Sequence, residues 1–291
     1  MTAIQSLLKQ AQERLSFSSD SAALDAEVLL CEVLNKTRSY LRAWPEKSLS
    51  DDDTARYWQL IKDRQHGKPI AYITGRKEFW SRDFMVTSDV LIPRPDTEIL
   101  IEKALALIPA DQPAKILDLG TGSGVIAITL AAERPLATIV ATDFSTTALT
   151  CAQANSSSHK ISNLSFIQSD WFTSLPEGKF DLIISNPPYI SDDDSHLNQG
   201  DLRFEPKSAL RAADNGLSDI KIIVQDARQY LHAGGHLLIE HGYNQKQLVQ
   251  NIFTGFEYQD IDTYLDYSGQ ARVTHGRWHS QSLNKSIELL P

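Results

Sequence analysis

The chain has 291 residues, 42% of them hydrophobic and 22% charged, which is an ordinary globular balance with room for one large or two smaller cores. A formal net charge of −9 argues against a protein held to nucleic acid by a general phosphate-binding surface. Cys31 and Cys151 suit neither a disulfide framework nor a metal-ligand spacing, so a reducing compartment and no metal are expected.

No apolar run is long enough to span a bilayer, and the first fifteen residues mix Gln, Lys, Glu and Arg with apolar residues. A cytoplasmic protein without a secretory signal or membrane association is the expectation. Ile4, Leu7, Leu8, Ala11 and Leu15 recur at helical spacing, as do Leu24, Val28, Leu29 and Leu30, with Asp20 or Ser21 as an N-cap. A third helix is predicted from about Asp52 to Gln65, stopped by Gly67 and Pro69. These make a small helical-bundle domain over residues 1–68, whose pattern leaves open whether it is structural or recognises a macromolecular substrate.

Between Pro69 and Pro95 the period becomes two. Ile70-Ala71-Tyr72-Ile73, Glu78-Phe79-Trp80 and Phe84-Met85-Val86 read as β-structure, giving a β-hairpin linker over residues 69–95. Asp96 or Thr97 is placed to cap a helix through Ile99, Leu100, Ala104 and Leu105. Arg94, pinned between two prolines, is either a surface charge or an arm over a site.

From Ala114 strands and helices alternate, which predicts an α/β, Rossmann-like domain over residues 96–291 with a mostly parallel seven-stranded sheet. The strand candidates are Lys115–Leu119, Thr138–Thr142, Leu164–Gln168, Phe180–Ser185, His236–Glu240, Phe256–Leu265 and Ala271–Trp278, the last two as an antiparallel pair. Ser191–Ser218 is the longest irregular stretch and lies beside the proposed site, where long loops are more often functional than idle.

The tips of these strands carry the chemistry. The first ends in Asp118-Leu119-Gly120-Thr121-Gly122-Ser123-Gly124, a turn that lets a ligand approach the backbone and the free N–H groups of the next helix. Its glycine spacing departs from the dinucleotide fingerprint, and the preceding acid suits a cofactor with an amino-acid end. Asp143 ends the second strand as an acceptor for ribose hydroxyls or as a helix N-cap. Asp170-Trp171 ends the third, where Trp171 can stack on an adenine and Asp170 accept from its amine, although a tryptophan is more often core.

The fourth strand, Phe180–Ser185, ends in Asn186-Pro187-Pro188-Tyr189. Two prolines fix φ and stiffen the loop. If the Asn186 side-chain oxygen and the Pro187 carbonyl each accept one N–H, a delocalised nitrogen lone pair can turn towards an electrophilic methyl. The ring of Tyr189 can pack on the flat face of the group so held. A plain Asn-Pro turn is the bland alternative. Four such tips in one sheet are far more specific than any one.

With Tyr72-Ile73-Thr74-Gly75, Leu91 to Glu98, Arg203-Phe204-Glu205-Pro206 and Ile239-Glu240-His241-Gly242, these motifs make nearly the whole chain resemble the release factor glutamine methyltransferase family (PrmC/HemK), a class I methyltransferase family. The resemblance implies methyl transfer from S-adenosylmethionine, leaving S-adenosylhomocysteine, to N5 of the glutamine in the Gly-Gly-Gln motif of class 1 peptide chain release factors. It implies cofactor contacts from Gly120, Thr121, Gly122, Ser123, Gly124, Asp143, Trp171 and Asn186, to which the reading of the strand tips adds Asp118 and Asp170. It assigns the glutamine amide to Asn186, Pro187, Pro188 and Tyr189, with Arg94 nearby, and substrate recognition to the helical domain. An N6-adenine nucleic-acid methyltransferase would share the tetrapeptide but should bring a basic groove, and no stable nucleic-acid partner is expected. A ribosomal-protein glutamine methyltransferase is disfavoured by the family resemblance alone.

Overall fold

The computed structural model describes residues 2–279; the end of the expected catalytic domain, 280–291, lies outside the described residues. Four helices, α1 (Ile4–Leu15), α2 (Ala22–Leu34), α3 (Arg38–Ala43) and α4 (Asp51–Gln65), pack their apolar stripes around the fully buried Leu7, Leu29, Leu30, Tyr57 and Ile61. The short α3, absent from the sequence reading, is too brief to show a period and is held by Thr37, which accepts the Tyr40 N–H at 3.4 Å. Ser50 caps α4 through the Asp53 N–H at 3.1 Å. Ser21 stands before α2 but caps nothing: its hydroxyl donates to Asp25 at 2.9 Å. Asp25 is buried and gathers donors, including Arg64 Nε at 2.7 Å, because an unpaired buried carboxylate is costly.

The linker differs from the expected hairpin at its start. Ile70–Thr74 is a one-turn helix, α5, entered from Pro69 and closed by Gly75 at φ 71°. A four-residue apolar run fits either period, and the flanking proline and glycine decide for the helix. The hairpin itself is shorter, β1 (Arg76–Phe79) against β2 (Arg82–Met85). Trp80 and Ser81 turn it at φ 53° and 58°, the left-handed pair that matches strand twist.

The larger domain runs α6 (Thr97–Leu107), β3 (Lys115–Leu119), α7 (Val125–Glu133), β4 (Thr138–Asp143), α8 (Thr146–Ser158), β5 (Leu164–Gln168) and β6 (Phe180–Ser185). A small parallel pair, β7 (Ile190–Ser191) and β8 (Arg211–Ala212), brackets three short 3-10 turns, so the Ser191–Ser218 stretch is irregular but anchored. Then follow α9 (Ala213–Gly216), α10 (Ser218–Ala227), β9 (Leu231–Glu240), α11 (Lys246–Gly255), β10 (Gln259–Leu265) and β11 (Ala271–Arg277). The seven-stranded order is β10-β11-β9-β6-β3-β4-β5, parallel from β9 to β5 with β11 antiparallel to both neighbours. The chain reverses direction across the sheet between β3 and β6, which places a crevice at the carboxyl ends of those strands. One core packs α6 and α7 on the sheet with Phe79 and Phe84 of the hairpin; the other packs α10 and α11 on the opposite face. No helix among the described residues is long and apolar enough to cross a membrane.

Candidate active site

The crevice is a cavity of about 400 Å³, within the roughly 300–1,000 Å³ of small-molecule sites. Its wall includes Gly120, Thr121, Gly122, Ser123, Asp143, Asp170, Trp171, Asn186, Pro188 and Arg94, so five separate segments of the chain meet there. Gly120 has φ 71°, and a Cβ there would stand 3.5 Å from the Trp171 ring, so the turn lies flat under the indole. Trp171 is itself held at φ 47°, with Nε1 donating to Asp219 at 3.2 Å.

Asp118 is not on the wall. It is fully buried behind the turn, where it accepts from the Thr121 hydroxyl at 2.6 Å. Burial pushes its carboxyl up to about 7, against the opposing pull of Thr121. It therefore shapes the loop from inside, and Gly124 likewise serves as the start of α7. Asp143 lines the cavity and braces it: Oδ2 accepts the Gly122 N–H and Oδ1 the Ser145 N–H, both at 2.9 Å. The cap of α8 is Ser145, whose hydroxyl accepts from Ala148, so Asp143 is not the N-cap. Burial raises the Asp143 carboxyl while these backbone donors hold it down. The carboxylate keeps acceptor capacity for a further donor.

Asn186 donates Nδ2–H to Thr97 Oγ1 at 3.2 Å. Thr97 is thus a partner of the site; neither it nor Asp96 caps α6 with a side-chain bond, and Asp96 pairs with Arg272 at 3.1 Å. Pro187 is buried, and Tyr189 turns its hydroxyl away to Glu240 Oε1 at 3.3 Å. Burial, with Glu240 second, raises the Tyr189 phenol well above its ordinary range. Arg94 reaches the wall but is ion-paired with Glu205, whose other oxygen accepts the Ile92 N–H at 3.1 Å. Its role as a free arm is therefore reduced to that of a tether for the irregular stretch.

Sequence reading missed Asp219, Arg211 and the 72%-exposed Phe144, all on the wall. It quoted Glu240 without giving it a role, although an acid at the carboxyl end of a strand was a usable signal. Asn155 was invisible: its amide bridges Met85 and the Ser123 carbonyl (2.8 Å), tying the hairpin to the glycine turn across 70 and 32 positions.

Comparison with known sequences places these features. The profile described as the PrmC N-terminal domain matches residues 6–75, and that of a methyltransferase domain matches 110–282. The release factor glutamine methyltransferase of Shewanella oneidensis is 48% identical over 93% of this chain and 94% of its own. That of Vibrio cholerae is 49% identical over 96% and 98%. The chain belongs to the release factor glutamine methyltransferase family. As a fold, this methyltransferase is also similar to the crystal structure of a methyltransferase from Pyrococcus furiosus, with a TM-score of 0.53 at 17% identity over 75% of this chain and 97% of that one. The expected class I methyltransferase fold is borne out, with the family's helical domain in front of it.

Proposed function

We propose that this enzyme transfers a methyl group from S-adenosylmethionine to N5 of the glutamine in the Gly-Gly-Gln motif of class 1 peptide chain release factors. The observation that carries the reading is the Asn186 amide, which spends Nδ2 on Thr97 and leaves Oδ1 free beside the glycine-rich turn. The residues present fit the cofactor. The turn brings its backbone against the amino-acid end, with the Thr121 and Gly122 N–H groups spent on Thr142 and Asp143 and those of Gly120 and Ser123 left for it; the remaining acceptor capacity of Asp143 suits ribose hydroxyls, and Trp171 with exposed Phe144 provides flat apolar faces for the base. Asp170 is placed for the exocyclic amine. When bound, S-adenosylmethionine supplies the methyl on a cationic sulfur and departs as S-adenosylhomocysteine.

The chain's own residues orient the acceptor. Asn186 Oδ1 and the Pro187 carbonyl each take one N–H of the glutamine amide, which turns its nitrogen lone pair towards the cleft. Pro188 and the ring of Tyr189 confine the amide plane, and Arg94, held from behind by buried Glu205, borders the cleft. Orientation and fixed dipoles are the main contributions, and no general base is assigned, since the proton can leave after transfer. The helical domain over 1–68, joined through 69–95 to the catalytic domain, docks the protein substrate, and the reaction takes place in the cytoplasm. Incubation with labelled cofactor, a class 1 release factor and single-stranded RNA tests the class of acceptor. Label is expected in the release factor; label in the RNA would overturn the reading.

A further inference from the structure

The wall of the cleft carries more acids than bases. Among the described residues, Asp89, Asp143, Asp170 and Asp219 face it with two arginines, Arg94 and Arg211. Arg94 is committed, since its guanidinium pairs with the fully buried carboxylate of Glu205. Arg211 is half-buried and differs in having no such partner. Among the described residues its side chain enters no ion pair and no hydrogen bond, and its Nε is buried without an acceptor. A guanidinium only donates, and holding its charge part-buried with no acceptor is costly.

The backbone that carries Arg211 is fixed against the tetrapeptide loop. In the β7–β8 pair Arg211 stands opposite Ile190, the residue after Tyr189, and the Ile190 N–H donates to the Leu210 carbonyl at 2.9 Å. Beyond β8, Gln245 Nε2 joins the Asn215 and Tyr189 carbonyls at 3.2 and 3.0 Å. The arginine is therefore held on the cleft wall by the same ties that hold the loop.

Of the groups that the function argued above brings into the cleft, one is an anion. The Gly-Gly-Gln motif of the acceptor is uncharged, whereas the amino-acid end of S-adenosylmethionine has an α-carboxylate. The four wall acids suit the cationic and hydroxyl groups of that cofactor and oppose its carboxylate. Backbone N–H groups of the glycine turn add hydrogen bonds but no net charge. A guanidinium fork supplies both, and matches a carboxylate in shape.

We propose that Arg211 binds the α-carboxylate of S-adenosylmethionine, a role that rests on the cofactor reading above. Arg211 then selects a cofactor with a complete amino-acid end over one that lacks the carboxylate, and β8 joins the glycine turn in forming that subsite.

The test is calorimetric titration of the full chain with S-adenosylhomocysteine and with its decarboxylated analogue, which keeps the adenosine, thioether and amine. Wild type should prefer S-adenosylhomocysteine by at least about 10-fold, the scale of a hydrogen bond to a charged group. Arg211→Gln should weaken S-adenosylhomocysteine binding by about 10- to 10²-fold and leave the affinity for the analogue nearly as it was. Arg211→Lys, which keeps the charge but loses the fork, should fall between the two. A glutamine variant that weakens both ligands alike, or neither, would overturn the proposal. So would unchanged S-adenosylhomocysteine affinity with slower single-turnover transfer, which would give the arginine to the protein substrate. Should Arg211→Gln fold poorly, wild type still decides, because equal affinity for the two ligands would refute the assignment. A wild-type protein that binds neither ligand would instead overturn the cofactor reading beneath it.

Discussion

Asp143 has two tasks in one side chain, since it braces the glycine turn through Gly122 and offers its remaining lone pairs to the cleft. Asp143→Ala is expected to weaken S-adenosylhomocysteine binding by at least about 1.5–3 kcal/mol, the usual scale for hydrogen bonds to a charged group. Calorimetric titration checks this, and an unchanged affinity would make the carboxylate a brace alone. With Asn186 holding the acceptor as proposed, Asn186→Ala should cut the single-turnover rate by about 10²–10³ while sparing cofactor affinity more. Tyr189→Phe keeps the ring and removes the hydroxyl that Glu240 accepts, so it should cost less rate than Asn186→Ala. A reversed order would make the phenol the critical group. Both residues were legible because they stand at strand ends within a motif. Their partnership with Thr97 and Glu240 was not, since these lie 89 and 51 positions away along the chain and are brought close only by β9 pairing with β6 and α6 packing on β9.

At the scale of elements, the tetrapeptide loop is clamped from outside. Gln245 Nε2 donates to the Tyr189 carbonyl at 3.0 Å, and Gly216 at φ 82° leaves no room there: an added Cβ would lie 2.1 Å from that carbonyl oxygen. Gly216→Ala should therefore lower both the melting temperature and the methyl-transfer rate, read by calorimetry and single-turnover assay. Full activity in a folded Gly216→Ala protein would show that the loop can shift without consequence. The sheet strands were readable from continuous apolar runs, as in Phe180–Ser185, because burial on both faces leaves little alternative. Ile70–Ile73 was not, since four residues carry no decisive period and the outcome rests on Pro69 and Gly75. The early start of β9 at Leu231 was hidden by Gly234 and Gly235 within the strand.

Over the whole molecule, buried titratable groups pull stability in opposite directions with pH. Burial raises Glu240 from 4.5 to about 7, so the folded state holds its proton more tightly than the unfolded chain. The stability this contributes is fully present below about 4.5 and is lost as pH rises through about 7. His236, hydrogen-bonded to His275 at 2.9 Å, is lowered to about 4 by burial and by that neighbour. Its contribution is present above 6.5 and lost as pH falls towards 4. Melting curves should show Glu240→Gln losing less stability than wild type as pH rises from 4.5 to 7. His236→Gln should lose less as pH falls from 6.5 to 4, and parallel curves for either variant would contradict the assignment.

The two domains are tied beside the site. Arg64 of the helical domain pairs with Asp25 at 2.7 Å and with Asp201 at 3.1 Å, and Arg203 donates to the His66 carbonyl at 3.1 Å. The irregular stretch that bears Asp201, Arg203 and Glu205 thus connects the helical domain with the wall of the cleft. The sequence showed that this stretch was long but not what it joined, because such ties depend on folded neighbours. What the assembly is for is most directly tested by tandem mass spectrometry of an intact class 1 release factor after incubation with the enzyme and S-adenosylmethionine. One added methyl on the side-chain nitrogen of the Gly-Gly-Gln glutamine is the predicted result. A methyl on any other residue, with that glutamine unmodified, would contradict it.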